Sequence, residues 1–141
     1  MGGRGGLTVS ASSPLLDRLA GLVGQAAGVP AELEGVVAAA LERNARNGVV
    51  LDLRGLSDAT DYFVILSGDS DVHTRAIADN VLERTRERSI RAAGVEGRDA
   101  GRWILIDFIN VVVHIFLPQA REYYRLGRLW GDAPRATLDD L

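Results

Sequence analysis

Residues 101–130 read GRWILIDFINVVVHIFLPQAREYYRLGRLW, and this stretch decides the fold class of the 141-residue chain. It holds two apolar runs, Trp103–Asp107 and residues 111–117, which a short link at 108–110 separates. Both runs are rich in β-branched and aromatic residues, and neither alternates strictly with polar ones, which is typical of strands covered on both faces. We therefore predict a buried β-hairpin that ends at Pro118, with a short helix after it.

The apolar spacing upstream predicts a helix and then two strands. The helix begins after Pro30, and Asn47-Gly48 ends it. Two strands follow, at residues 49–53 and at Tyr62–Ser67, with a polar loop between them. The apolar residues of the helix recur at the spacing of one helical face: Leu33, Val36, Val37, Ala40 and Leu41.

A second, longer helix is predicted between these strands and the hairpin. Ser70 is its expected N-cap, Asp71 lies near its positive end, and it runs to about Arg91 before Gly94. A short edge strand at residues 95–97 then precedes the hairpin. The inner face of the helix is expected to consist of Val72, Ala76, Ile77, Val81 and Thr85.

The order of these elements indicates an α/β fold, a single-domain mixed β-sheet flanked by helices. The strands at Tyr62 and Trp103 are joined through the long helix, which favours a right-handed parallel crossover between them. The second hairpin strand then runs antiparallel. The expected domain organisation is a disordered tail at 1–13, a weak helix or linker at 14–30, one domain at 31–133 and a second tail at 134–141.

Composition limits the classes of function. A hydrophobic content of 47% suits one globular domain, and a net charge of −3 argues against broad, sequence-independent nucleic-acid binding. The chain has no cysteine, which excludes disulfides and thiolate metal sites and makes a cytoplasmic location natural. Since no apolar run approaches the roughly 20 residues of a membrane span, we expect no membrane partner.

Two sequence blocks carry a family resemblance. The downstream block reads W-x-x-x-D-x-x-x-V-V-V-H-I-F, then R-x-x-Y-x-L and L-W, here Trp103, Asp107, Val111–Phe116, Arg121, Tyr124, Leu126, Leu129 and Trp130. The upstream block reads LDL-x-G, TDYFVI-x-x-G-x-S and AIAD, here residues 51–53, Gly55, residues 60–65, Gly68, Ser70 and residues 76–79, and VEG follows at 95–97. In these motifs the chain resembles the ribosomal silencing factor family, also called Iojap-like. The resemblance covers residues 33–133.

The resemblance implies a nucleotidyltransferase-like fold, which raises the alternative of metal-dependent nucleotidyl transfer. Active enzymes of that kind place a G-S turn after one strand and two carboxylates at alternate positions of another, so that both carboxylates hold the metal ions. Here Gly68-Asp69-Ser70 imitates the turn, but the same-face neighbours of Asp107 are Leu105 and Ile109. Because the second carboxylate is missing, we expect no enzyme activity, no cofactor and no metal.

The two histidines are weak candidates for chemistry. His73 and His114 have no cysteine or second histidine at metal-ligand spacing. His114 lies in an apolar strand, where a hydrogen-bonded core or interface histidine is expected. His73 lies in the first turn of a helix and is expected to be solvated.

The resemblance also implies a partner. Family members bind the large ribosomal subunit through ribosomal protein uL14, on the face that meets the small subunit, so they block subunit joining and silence translation when nutrients are short. Trp103, Asp107, Phe108 and Tyr124 match the docking surface of the family. Arg128 shares a helix stripe with Tyr124, and Tyr, Trp and Arg are enriched at interface hot spots. Little direct RNA contact is expected.

Family members commonly form homodimers, and the strand Val111–Phe116 is a candidate for that contact, through Val111, Val113 and His114. A dimeric interaction module with another partner therefore stays an alternative. The chain also departs from the family pattern. The family commonly has T-G-T-S at residues 67–70, G-D at Ile109-Asn110 and Glu at Gly127, so the charge near the proposed surface differs.

Overall fold

The structure is a computed structural model and describes residues 30–125, 131 and 133–138. The segments expected to be a disordered tail at 1–13 and a weak helix at 14–30 fall outside this description, except for Pro30. Three helices are described: α1 Ala31–Glu42, α2 Asp71–Glu87 and α3 Pro118–Tyr124. Six strands are described: β1 Arg46–Asp52, β2 Tyr62–Ser67, β3 Gly94–Glu96, β4 Trp103–Asp107, β5 Val111–Phe116 and β6 Arg135–Thr137.

The strands form one sheet in the order β3-β4-β5-β2-β1-β6. β2 and β5 pair in parallel, from Tyr62 beside Val111 to Ser67 beside Phe116. Each other neighbouring pair is antiparallel. The predicted mixed sheet with flanking helices is confirmed, and so is the hairpin of β4 and β5.

The predicted parallel pairing of the strands at Tyr62 and Trp103 is wrong. The parallel partner of β2 is β5, the second hairpin strand, and β4 runs antiparallel to both of its neighbours. The reason is the short strand β3, which follows α2 and takes the direction of β2 at the edge of the sheet. The crossover from β2 therefore arrives at β3, and β4 turns back from it.

Helix α1 packs on the sheet through the apolar residues that its spacing predicted, with one exception. Leu33, Val36, Val37 and Ala40 are buried, whereas Leu41 is 37% exposed. The helix ends at Glu42, earlier than predicted, because Asn44 takes a left-handed backbone conformation with φ of 57°. Asn47-Gly48 lies instead within β1, where the register with β2 shifts between Arg46 and Val49.

Helix α2 begins as predicted, with Ser70 as the N-cap whose Oγ accepts a hydrogen bond from the His73 backbone N–H at 3.1 Å. It ends at Glu87, short of the predicted Arg91, and Ser89 follows with φ of 64°. Val72 was predicted on the inner face but is 67% exposed. It lies about 200° around the helix from Thr74, two positions on, which is fully buried. The buried residues of α2 are Thr74, Ile77, Ala78, Asn80, Val81 and Thr85.

The segment expected to be a C-terminal tail contributes to the fold. Residues Arg135–Thr137 form β6, which pairs antiparallel with β1, and Leu138 is 4% exposed in the core. Three residues are too few to show a strand pattern, so this edge strand could not be predicted from the sequence. Within the described residues, no helix is long and apolar enough to cross a membrane.

One face of the sheet, here called the helix face, packs against α1 and α2 and forms the main core. Alternate residues of β2, β4 and β5 supply it, because successive side chains of a strand point to opposite faces. Each of these strand residues is at most 1% exposed: Tyr62, Val64, Leu66, Ile104, Ile106, Val111, Val113 and Ile115.

Candidate docking site

The other side of the sheet is a mixed surface of apolar, aromatic and acidic side chains, here called the opposite face. Helix α3 and Ala133 pack on part of it, where Ala120 and Ala133 join Phe116 in a small second core. Trp103 and Leu105 remain only partly buried. The residues of β2, β4 and β5 on this face are Phe63, Ile65, Ser67, Trp103, Leu105, Asp107, Val112, His114 and Phe116.

The centre of the opposite face is an aromatic cluster around His114. The His114 ring meets Phe63 edge-on at 4.6 Å between centroids and lies 5.9 Å from Trp103. Trp103 also stacks on Phe116 at 5.1 Å. The Trp103 indole N–H donates to His114 Nδ1 at 3.1 Å. The indole is therefore held in a fixed orientation by a hydrogen bond and by ring packing against His114 and Phe116.

His114 is the hydrogen-bonded core histidine that the sequence predicted, since it is only 4% exposed. Because Nδ1 accepts the Trp103 bond, the proton of the neutral ring sits on Nε2. That atom is buried and has no hydrogen-bond partner. Burial lowers the pKa of His114 to about 4, so the ring is neutral at pH 7.

The turn between β4 and β5, here called the hairpin tip, consists of residues 107–110 and stands beside this face. Asp107 is partly buried, and its Oδ1 accepts a hydrogen bond from the Ile109 backbone N–H at 2.7 Å. Phe108 turns into the core and is 4% exposed, whereas Ile109 points outward and is 60% exposed. The tip therefore brings together the buried ring of Phe108, the carboxylate of Asp107 and the exposed apolar side chain of Ile109.

The two halves of the nucleotidyltransferase-like pattern do not meet. Asp107 lies across from Val112, which pairs with Phe63 near the start of β2. The Gly68-Asp69-Ser70 turn follows the last residue of β2, Ser67, which is about 13 Å further along the strand. Within the described part of the chain, no group of three or more acidic, histidine or cysteine residues is placed to hold a metal ion.

The Gly68-Asp69-Ser70 turn is occupied by structural contacts. The Asp69 backbone N–H donates to His73 Nδ1 at 2.9 Å, and His73 Nε2 lies 2.7 Å from the Arg43 carbonyl oxygen. The prediction that His73 is solvated is wrong, since its side chain is 19% exposed and ties the start of α2 to the end of α1. A Cβ on Gly68 would approach the Thr74 backbone nitrogen to 2.9 Å, so this position needs glycine.

The structure separates the residues that were predicted to contact a ribosomal protein. Trp103 and Asp107 lie on the opposite face, whereas Phe108 packs in the core of the helix face. Tyr124 lies in α3, but its side chain is outside the described part of the structure, and Arg128 is outside it entirely. The positions of Trp103 and Asp107 are therefore compatible with direct contact to a partner protein. Phe108 could contact a partner only if the core opened.

The predicted dimer contacts are separated in the same way. Val111 and Val113 are fully buried on the helix face, because they alternate with Val112 and His114 along β5. Their side chains offer no surface to a second chain in this arrangement, and His114 is nearly as buried. The dimer itself stays a prediction.

Three residues of the opposite face were missed by the sequence analysis: Phe63, Leu105 and Val112. Each is partly buried, Phe63 within the aromatic cluster around His114 and the other two next to it. The alternation of side chains along β2, β4 and β5 indicates that these residues share a face with Trp103 and Asp107. The sequence does not show which face α1 and α2 cover, so this alternation alone could not identify them as surface residues.

Comparison with known proteins decides the family. The family model described as "Ribosomal silencing factor during starvation" matches residues 26–141. The chain belongs to the ribosomal silencing factor family. The resemblance drawn from the two sequence blocks is therefore confirmed.

Relatives and solved structures agree with this membership. The ribosomal silencing factor RsfS of Bacillus subtilis is 43% identical over 102 residues, which span 72% of this chain and 86% of that protein. A crystal structure from Chromobacterium violaceum matches with a TM-score of 0.70 and 30% identity, covering 71% of this chain and 83% of its own. One from Bacillus halodurans matches with a TM-score of 0.66 and 36% identity, covering 74% and 94%. The mixed α/β fold is thus shared with proteins of clear sequence similarity.

Proposed function

We propose that this protein binds the large ribosomal subunit through ribosomal protein uL14 and blocks the joining of the small subunit, repressing translation when nutrients are short. The observation that carries the proposal is the family match over residues 26–141. The mechanism is steric, because a molecule docked on the intersubunit surface occupies space that the small subunit needs. Occupancy then follows mass action, from the concentration of the protein and its dissociation constant.

The opposite face and the hairpin tip support docking on a protein. Trp103 is a partly buried tryptophan, a residue type enriched at hot spots, and its indole is already oriented by His114. A side chain that is fixed before binding loses little conformational entropy when a partner covers it. Asp107 adds a carboxylate at the edge of the same surface. Tyr124 belongs to the proposed surface on the strength of the family motif. The helix stripe predicted to link Arg128 to Tyr124 is interrupted, because α3 ends at Tyr124 and Arg125 has a left-handed backbone with φ of 50°.

The same proposal covers the kind of partner, the absence of catalysis, the location and the oligomeric state. The net charge of −3 favours a protein contact over a broad RNA contact. We propose a regulatory role without catalysis or cofactor, a cytoplasmic location and a homodimeric state. The alternative of nucleotidyl transfer predicts metal-dependent pyrophosphate release from nucleoside triphosphates. Such release, lost in Asp107→Ala, would replace this proposal.

The test is sedimentation of the purified protein with separated ribosomal subunits. We expect migration with the large subunit alone, and reduced joining when small subunits are added afterwards. Trp103→Ala should weaken binding about thirtyfold, the hot-spot range of about 2 kcal/mol. Val72→Ala is the control, because Val72 is exposed on α2, which packs on the helix face of the sheet.

Thermal melting of both variants separates docking from folding. The binding assay is run well below the melting temperature of Trp103→Ala, so that a loss of binding is not a loss of folded protein. Migration with neither subunit would instead favour an interaction module with another partner. Equal binding by Trp103→Ala and the wild type would remove the opposite face from the docking surface.

A further inference from the structure

The hairpin tip contains the most unusual backbone conformation among the larger apolar residues that the structure describes. Ile109 has a φ of 74°, in the left-handed region that a β-branched side chain strongly disfavours. The Asn110 backbone N–H donates to the Phe108 carbonyl oxygen at 2.9 Å, which closes a three-residue turn centred on Ile109. A turn of this kind with positive φ at its centre is the rare and strained form of the γ-turn.

The surrounding hydrogen bonds hold Ile109 in this conformation. Its own N–H is bound by Asp107 Oδ1 at 2.7 Å, and the Phe108 N–H donates to the Val111 carbonyl at 2.9 Å. The Asn110 carbonyl accepts from the backbone N–H groups of Asp61 and Tyr62, both at 3.1 Å. With Phe108 buried in the core next to it, the tip has no freedom to relax. Strain that a structure over-determines in this way is often found at functional positions.

In this strained conformation, the bulky apolar side chain of Ile109 points into solvent. Ile109 is 60% exposed, although glycine would fit the backbone without cost. Neither packing nor backbone geometry explains the isoleucine, because the side chain contributes little to the core and opposes the turn.

We propose that Ile109 is an apolar anchor that the rigid hairpin tip inserts into an apolar pocket on the docking protein. The inference rests on the proposed function and extends its surface from Trp103 and Asp107 to the end of the hairpin. The pocket should be rimmed by basic side chains, because Asp107 places a carboxylate in the tip and the exposed Asp61 is hydrogen-bonded to the Asn110 carbonyl through its backbone N–H. The same carboxylates disfavour an RNA phosphate at this point. Since the tip is fixed before binding, the anchor pays little entropy on insertion.

The test compares three variants in stability and in binding to isolated large subunits. Ile109→Gly should raise the melting temperature by about 4 °C, because it relieves the strained backbone. The same variant should weaken binding at least tenfold, because it removes the anchor. Ile109→Leu should recover most of the lost affinity, since it restores an apolar side chain of the same size. Val72→Ala, an exposed valine on α2 at the other end of the sheet, should change neither quantity.

Opposite signs in stability and binding distinguish an anchor from a structural residue. Unchanged binding by Ile109→Gly, with the wild type bound, would overturn this inference and leave the proposed function standing. Failure of the wild type to migrate with the large subunit would overturn both. A lower melting temperature for Ile109→Gly would overturn the strain argument. Loss of self-association in Ile109→Gly with unchanged subunit binding would assign the tip to contact with a second copy of the chain instead.

Discussion

The helix face and the opposite face of the sheet are built from alternate residues of the same strands, yet they are covered very differently. On the helix face, Ile104 and Ile106 are fully buried beneath α1 and α2. On the opposite face, their neighbours Trp103, Leu105 and Asp107 are only partly buried. The strands are apolar on both sides, but the described part of the chain closes only one side completely.

This difference separates two uses of apolar residues within one hairpin. Burial on the helix face stabilises the fold by roughly 25 cal/mol for each Å² of apolar surface removed from water. Apolar and aromatic surface left partly open on the opposite face gives up some of that stabilisation. It keeps surface available for a partner. Substitutions on the two faces should therefore affect different measurements, folding for one and docking for the other.

The largest effect should come from truncating a core residue of the helix face. Ile106→Ala should lower the free energy of unfolding by about 2–5 kcal/mol, because it leaves a cavity beneath the helices. Leu105→Ala is the matched control, since Leu105 is the neighbouring residue on the opposite face and is partly buried. It should cost less than half as much and reduce binding to the large subunit. Urea denaturation measures the free energy of unfolding of both variants. Equal losses of stability in Ile106→Ala and Leu105→Ala would show that the two faces are equally buried.

The protonation of His114 gives the next largest effect. Its pKa is about 4 in the folded chain, because burial disfavours the charged ring, against 6.5 for the free side chain. Between these pH values the unfolded chain binds a proton that the folded chain does not, so stability falls as the pH is lowered from about 6.5 to 4. The gap between the two pKa values corresponds to about 3 kcal/mol.

His114→Phe isolates this contribution. Urea denaturation from pH 7.5 to 4.5 should show a steeper loss of stability for the wild type than for the variant. Carboxylates whose pKa is lowered by hydrogen bonds, such as Asp79 beside Arg98, lose their contribution at lower pH in both proteins and cancel in the comparison. Parallel curves for the two proteins would mean that His114 is accessible to solvent in the folded state.

Much of the fold was predictable because its signals are local. The strand bounds at Tyr62–Ser67 and Trp103–Asp107 follow from unbroken apolar runs, and Ser70 as N-cap follows from side-chain chemistry. Which strand pairs with β2 is a long-range choice that no local pattern specifies. The edge strand Arg135–Thr137 is too short to carry a pattern at all.

The candidate site was less predictable, because it depends on which face of the sheet the helices cover. Trp103 and Asp107 were found through the family motif, and the structure places them together on one face. Val111 and Val113 have the same apolar character as Val112, and only the packing of α1 and α2 shows that they are inaccessible. The positive φ of Ile109 left no mark in the sequence, because isoleucine is the residue least expected in that conformation.

A smaller effect should follow from removing the bond between Trp103 and His114. Trp103→Phe keeps an aromatic ring but removes the indole N–H, which should cost about 1 kcal/mol of stability. It also removes the bond that favours the neutral ring, so the pKa of His114 should rise, while burial still holds it below its ordinary value. A titration of the histidine ring protons by NMR measures the change. The His73 signals serve as the internal reference, because His73 contacts Asp69 and the Arg43 carbonyl next to α1 and α2, which pack on the helix face.

The smallest effect concerns buried hydroxyl groups, which are hydrogen-bonded beneath α2 but not in the loop before β2. Beneath α2, the Thr74 hydroxyl donates to the Gly101 carbonyl oxygen at 2.7 Å. In the loop before β2, Thr60 is 6% exposed and its Oγ1 has no hydrogen-bond partner. A buried hydroxyl without a partner costs stability, whereas a bonded one contributes about 1 kcal/mol.

Thr60→Val should therefore leave the stability unchanged or raise it by up to about 1 kcal/mol, because it replaces an unpaired hydroxyl with a methyl group of the same shape. Thr74→Val is the control with the opposite sign, since it leaves the Gly101 carbonyl without its buried donor. Thermal melting of the two variants side by side measures the contrast. If Thr60→Val destabilises the protein as much as Thr74→Val, the Thr60 hydroxyl has a hydrogen-bond partner in solution. The buried hydroxyl of the loop would then be hydrogen-bonded like that of Thr74.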